Sequence, residues 1–316
     1  MLLNSGGQKM GILMQLVLLI IGFVMLVKGA DWFVDGSSGI ATKLKIPQLV
    51  IGLTIVAMGT SAPEAAVSIT AALKGNADIT VGNIVGSNIL NILIILGLSA
   101  LVTTLAVAKS TVRIELPFMI GITVILLLVG LNGEIGLLEG ILLLILFVTY
   151  LTYLFFMAKK NPDDSEAPKE LSVVKALLCT VIGLVLIVAG SNVTVNAATE
   201  IARVLGLSER FIGLTIVALG TSLPELFTSV SAARKGNADI AIGNIVGSNI
   251  FNILFVVGLS ATIIPVPFAE GFRFDTIVAI LAGILLLLCV LKEQKLKRWA
   301  GVIMLIGYAA YFAMIW

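Results

Sequence analysis

Histidine is absent from all 316 residues, and cysteine occurs only at Cys179 and Cys289. Without histidine the chain lacks the usual proton carrier near neutral pH and the commonest transition-metal ligand. Two cysteines set inside apolar runs supply neither a disulfide framework nor a thiolate metal cluster. Charge is scarce too: 12% of residues are charged, against about 25% in a soluble domain. The net charge of +2 is small and scattered, so nothing points to a nucleic-acid partner.

What the chain has is apolar surface. Hydrophobic residues make up 59% of it, and the mean hydropathy is +1.13. Polar groups this few cannot cover a folded surface, so the solvent must be a lipid bilayer. The first apolar run, residues 10–27, has no basic segment before it and no small-residue cleavage site after it. It predicts a membrane helix, not a cleaved signal.

A spanning helix needs roughly 20 mostly apolar residues. Ten such runs are present, near 11–30, 48–73, 79–104, 114–131, 137–157, 174–197, 211–233, 240–264, 274–291 and 299–316. The one long polar stretch follows the fifth. Residues 51–100 align with 212–261 at a constant offset of 161, and 36 of the 50 positions are identical. The expected fold is an all-α polytopic membrane protein of ten transmembrane helices in two five-helix repeats. The repeats would be residues 1–157 and 174–316, joined by a linker at 158–173. Because five is odd, the second repeat enters the membrane from the opposite side. The two copies are then inverted, as in many secondary transporters, with the ion site between them near the midplane.

Lysine and arginine set the orientation. With the N-terminus outside, the cytoplasmic loops hold 14 of these residues and the outer loops hold 5. Both termini are therefore expected outside and the 158–173 linker in the cytoplasm, in the cell (inner) membrane. The sequence leaves oligomeric state open and is compatible with a monomer.

Only two acids lie deep within the predicted spans, Glu64 and Glu225, each in a Gly-Thr-Ser-x-Pro-Glu segment. A carboxylate at the bilayer centre costs at least about 2.5 kcal/mol, and these spans offer no lysine or arginine partner. A bound cation is the simplest compensation. Pro63 and Pro224 interrupt the helical hydrogen bonding, which is expected to free carbonyls around Ala57 and Thr60, and around Ala218 and Thr221. Thr60, Ser61, Thr221 and Ser222 add hydroxyls. The following span carries Gly-Asn-Ile-Val-Gly-Ser-Asn-x-x-Asn in both halves, which puts Ser87 with Asn91, and Ser248 with Asn252, on one helical face. Gly82 and Gly86 permit close helix approach. An all-oxygen site suits a hard cation, and flexible mixed ligation suits Ca²⁺ better than Mg²⁺. Two carboxylates balance one Ca²⁺ or two Na⁺, which is a physical basis for exchange.

These two repeated segments resemble the α-repeats of the cation/Ca²⁺ exchanger superfamily, most closely its prokaryotic Na⁺/Ca²⁺ exchanger branch. The resemblance implies that Glu64 and Glu225 are the central ligands for Ca²⁺ and Na⁺. Thr60, Ser61, Thr221, Ser222, Ser87, Ser248, Asn91 and the carbonyls of Ala57 and Ala218 would complete a cluster of ion sites. It implies Na⁺/Ca²⁺ antiport by alternating access, with the first span of each half sliding over a rigid core. No cofactor is implied, because Ca²⁺ and Na⁺ are the transported substrates. Asn252 departs from the many relatives with Asp at this position. The K⁺-dependent branch resembles the Asp form, so Asn252 weighs against K⁺ co-transport.

Other readings carry less of the sequence. Both glutamates can bind protons, which keeps a Ca²⁺/H⁺ or other divalent cation/proton antiporter as the alternative. A passive cation channel sits poorly with an inverted repeat. An intramembrane protease lacks its histidine. For Asn83, Asn88, Asn244 and Asn249, ion contact and interhelical hydrogen bonding are equally matched. Asp31, Asp35, Asp78 and Asp239 are expected near the membrane surfaces.

Overall fold

The structure is a computed structural model that describes residues 4–160, 172–206 and 218–315. Most of the expected linker and the first residues of the seventh expected span, 211–217, lie outside the described residues. Among the described residues the regular elements are helices, apart from four two-residue strands. Among the described residues, eight helices are long and apolar enough to cross a membrane. A pair bent by 51° makes up to nine.

In chain order the helices are α1 (Asn4–Lys43), α2 (Gln48–Thr60), α3 (Ala62–Leu73), α4 (Ile79–Val102), α5 (Thr111–Val129), α6 (Leu137–Lys160) and α7 (Val173–Val204). Then come α8 (Ala218–Thr221), α9 (Leu223–Arg234), α10 (Ala238–Ile263), α11 (Glu270–Leu291) and α12 (Arg298–Ile315). The strands are β1 (Leu105–Ala106), β2 (Glu134–Ile135), β3 (Val266–Pro267) and β4 (Lys295–Leu296). β1 pairs with β4 and β2 with β3, both antiparallel. Each ribbon therefore ties a loop of one half to a loop of the other. Adding 161 to β1 gives β3, and adding 161 to β2 gives β4, so the repeat extends to the loops.

α4 and α10 form the centre, with α10 buried almost entirely. Outer helices turn large apolar side chains outward, among them Ile20 on α1, Ile145 on α6, Val181 on α7 and Leu288 on α11. Water would not tolerate so broad an apolar exterior, and a bilayer requires it.

α1 and α7 run antiparallel along a seam of small residues spaced seven apart. Gly29 faces Gly183, Gly22 faces Gly190, and Gly36 faces Ala176 and Thr180. A Cβ built on Gly183 would lie 2.5 Å from the backbone nitrogen of Phe33, so the two backbones touch. In lipid such seams hold helices together by close packing.

Both helices outrun the sequence expectation. The first was expected over 11–30 and the sixth over 174–197. Asp31 and Asp35 interrupt the apolar run of α1 without ending the helix, because both find partners on another helix. Ser231 at the end of α9 donates to Asp31 Oδ1 at 2.6 Å. Lys235 bonds the Asp31 carbonyl at 2.8 Å and pairs with Asp35 at 2.7 Å. At the aligned positions α7 carries Asn192 and Asn196 instead of aspartates.

Candidate ion-binding site

The site is built at two matching helix breaks. α2 ends at Ser61 (φ −82°, ψ 6°), and α3 restarts with Pro63 in its first turn. α8 ends at Ser222 (φ −91°, ψ 4°), and α9 restarts with Pro224. A proline is well placed in the first turn, where its missing N–H loses no bond. It puts the next residue, Glu64 or Glu225, at the start of a helix, where a carboxylate complements the positive dipole end. Both glutamates are 1% exposed, so both are shut off from the surface in this arrangement.

The serines at the breaks cross between halves. Ser61 Oγ donates to Glu225 Oε1 at 2.7 Å, and Ser222 Oγ donates to Glu64 Oε1 at 3.4 Å. Each break therefore supports the carboxylate of the other. Thr60 Oγ1 lies within bonding distance of the Val56 and Ala57 carbonyls, at 3.1 and 3.3 Å, and of Asn244 Oδ1 at 3.0 Å. Thr221 holds the matching place at the end of α8.

α4 and α10 supply the amides. Asn83 Nδ2 donates to the Glu64 carbonyl at 3.3 Å and to Ser68 Oγ at 2.9 Å. Asn244 repeats this toward the Glu225 carbonyl at 3.4 Å and Ser229 Oγ at 2.9 Å. Asn88 and Asn249, exact counterparts across the repeat, each donate to the other's backbone carbonyl at 3.2 Å. Asn91 Nδ2 donates to Asn249 Oδ1 at 2.9 Å, and Asn252 Nδ2 donates to Asn88 Oδ1 at 3.2 Å. A stretch of wider, π-helical turn begins at Asn91 and again at Asn252, a distortion that often marks functional sites.

Four buried side-chain oxygens in this region have no hydrogen-bond partner: Glu64 Oε2, Glu225 Oε2, Asn91 Oδ1 and Asn252 Oδ1. A buried acceptor left unpaired costs about 1–3 kcal/mol, and more if charged. Acceptors without donors are what a cation satisfies. Among the described residues no three His, Cys, Asp or Glu side chains converge. A cation such as Ca²⁺, which takes 6–8 oxygens, would find most of them here among hydroxyls, amides and carbonyls.

Ser248 Oγ donates to the Ala57 carbonyl at 3.4 Å. That carbonyl also accepts the Ser61 N–H at 3.0 Å, so Pro63 does not free it as expected. The donor missing at Pro63 would have bonded one helical turn back, at Gly59. With Thr60 Oγ1 also 3.3 Å away, the Ala57 carbonyl is already supplied with donors. Ser87 is buried on α4, and Ala218 opens α8. Gly82 and Gly86 do not make the expected close approach, whereas their counterparts Gly243 and Gly247 do. A Cβ on Gly86 would meet nothing within 4 Å, and one on Gly82 only the Phe272 ring at 3.3 Å. A Cβ on Gly243 would lie 3.0 Å from the Gly52 Cα, and one on Gly247 would lie 2.7 Å from the Leu53 carbonyl.

The family model for sodium/calcium exchanger proteins matches residues 14–156 and 175–316. The chain belongs to that family. This family member is similar to inner membrane protein YrbG of Escherichia coli, at 38% identity over 317 residues, covering 96% of this chain and 97% of that one. It is 34% identical over 346 residues to the sodium/calcium exchanger MaX1 of Methanosarcina acetivorans, covering 96% of this chain and 99% of that one. Among solved structures it resembles the sodium-calcium exchanger NCX_Mj with a TM-score of 0.85 and 32% identity, over 96% of this chain and all of that one. The family is one of membrane transporters, and the multi-pass helical fold agrees with it.

Sequence reasoning passed over two acids at the expected span ends. Glu115 is fully buried in α5 and accepts a short hydrogen bond from Tyr153 of α6. Asp275 of α11 accepts from Tyr311 of α12 at 2.9 Å. A tyrosine on the following span was the available signal in both cases. Ser68 and Ser229, identical at aligned positions, were also unmarked.

Proposed function

We propose that this family member is a secondary antiporter that exchanges Na⁺ for Ca²⁺ by alternating access, at one midplane site shared by both halves. The observation that carries this is the set of four buried, partnerless oxygens, two from each half, beside the crossed serine–glutamate bonds. The proposed ligands are Glu64 and Glu225, with Thr60, Ser61, Ser87, Asn91 and the Ala57 carbonyl from the first half. Thr221, Ser222, Ser248, Asn252 and the Ala218 carbonyl come from the second. Two carboxylates match the charge of one Ca²⁺ or two Na⁺, so either load discharges the pair.

The ten-helix, two-repeat organisation, with units 1–157 and 174–316, belongs to the same reading. It is supported by the recurrence of strands and helix breaks at an offset of 161 and by the contact between counterparts Asn88 and Asn249. Outer termini, a cytoplasmic linker at 158–173 and residence in the inner membrane are proposed from the lysine and arginine distribution and from the likeness to YrbG.

The test is ion flux in proteoliposomes loaded with Na⁺ and diluted into Na⁺-free Ca²⁺ buffer. Ca²⁺ uptake should require the Na⁺ gradient, ignore K⁺, and vanish in the Glu64→Ala/Glu225→Ala protein. Uptake driven by a pH gradient in Na⁺-free medium would instead establish proton coupling. A strict K⁺ requirement would overturn the inference from Asn252.

A further inference from the structure

The four asparagines at the middle of α4 and α10 fix one another's orientation. A backbone carbonyl only accepts hydrogen bonds. The Asn88 side chain must therefore turn its Nδ2 toward the Asn249 carbonyl, 3.2 Å away. That choice leaves Asn88 Oδ1 on its other side, where only a donor can sit. Asn252 meets it with Nδ2 at 3.2 Å. The Asn252 carbonyl oxygen is thereby turned away, buried and without a partner. The same logic runs in the opposite sense from the Asn88 carbonyl through Asn249 to Asn91, at 3.2 and 2.9 Å. Asn91 Oδ1 is likewise buried and partnerless.

Resting on the ion-site reading above, we propose that Asn88 and Asn249 are positioning residues. Each turns the amide of the other half's asparagine, Asn252 or Asn91, so that its oxygen and not its NH₂ group faces the cation. An asparagine free to rotate would spend part of its time presenting two N–H donors to a positive ion. Asn88 and Asn249 remove that state without touching the ion.

The arrangement makes a crossed prediction. Asn88 acts through Asn252 and not through Asn91, its neighbour on the same helix. Asn249 acts through Asn91 and not through Asn252. The test measures the KM for Ca²⁺ in Na⁺-driven uptake, for Asn88→Ala placed in the wild-type, Asn91→Ala and Asn252→Ala proteins. Asn88→Ala should raise KM roughly five- to ten-fold in the first two, as expected for one lost hydrogen bond, and leave it unchanged in the Asn252→Ala protein. Maximal turnover should change less than KM. Asn249→Ala should show the converse pattern, and it is an independent arm should one variant fail to fold. Asn88→Ser and Asn249→Ser serve where alanine is not tolerated. A further background is Asn252→Asp, in which two oxygens oppose each other at position 88. There Asn88→Ala should lower KM or leave it unchanged.

A merely structural role for Asn88 would raise KM equally in all backgrounds, because coupling is confined to residues that act through one another. That result overturns the proposal. If Asn91→Ala and Asn252→Ala alone leave KM unchanged, the ion-site reading falls and this inference falls with it. If they raise KM but the coupling does not cross, only this inference falls.

Discussion

Ser61 of the first half donates a 2.7 Å hydrogen bond to Glu225 of the second, and the reciprocal bond from Ser222 to Glu64 is 3.4 Å. The two bonds are equivalent in sequence and unequal in length. A hydrogen bond to a charged group contributes about 1.5–3 kcal/mol, and the longer one contributes less. Ser61→Ala should therefore weaken Ca²⁺ uptake more than Ser222→Ala. The expected rise in KM for Ca²⁺ is at least roughly ten-fold for the first, since about 1.4 kcal/mol corresponds to a factor of ten. Equal effects would show that the difference in length is not felt by the bound ion.

Glu115 is a third buried carboxylate, paired with Tyr153 and outside the repeat motifs. Glu115→Gln keeps an acceptor for the tyrosine and should leave exchange intact. Glu115→Leu strands the hydroxyl and should lower stability by about 1–3 kcal/mol, read as a drop in melting temperature in detergent. Lost exchange in the glutamine variant, with normal stability, would mark Glu115 as part of the transport path.

The seam between α1 and α7 has no room for a methyl group. Gly183→Ala should lower the melting temperature, because its Cβ would lie 2.5 Å from a backbone nitrogen that cannot move aside. Gly121→Ala on α5 is the control, since nothing lies within 4 Å of the added carbon. It should leave the melting temperature unchanged within a degree or two, as expected for open space on a helix surface.

Lys235 holds the C-terminal part of α1 through Asp35 at 2.7 Å and Asp31 at 3.7 Å, with all three side chains between about a quarter and a half exposed. Exposed pairs of this kind contribute about 0.2–1 kcal/mol and are screened by salt. Lys235→Ala should expose the nearby Ser231, read as two- to five-fold faster maleimide labelling of Ser231→Cys, the range that energy sets. Cys179 and Cys289 would first be replaced by alanine. High salt should narrow the gap between the two proteins.

The repeat, the membrane setting and the paired glutamates were legible in the sequence because they depend on composition and on a gap-free internal alignment. The crossing of Ser61 to Glu225 was not. Spacing tells which residues share a helix face, but not which residue of the opposite half stands in front of them. The length of α1 was hidden for a related reason. Asp31 and Asp35 look like the end of a span until Ser231 and Lys235, some 200 positions away, supply their partners. Glu115 lies near the start of α5, as expected of a span end, but its burial could not be read because its tyrosine lies on the next helix. The wider turns that begin at Asn91 and Asn252 leave no trace in residue type, since the segments on either side read as ordinary apolar helix.

The reciprocal bonds of Asn88 and Asn249 also bear on how such a chain can change over generations. An altered residue at position 252 meets its first constraint at position 88, in the other half, and one at 91 meets it at 249. Neither half by itself holds both an asparagine and the residue that turns its amide, so one half alone would lack the partner that turns its own asparagine.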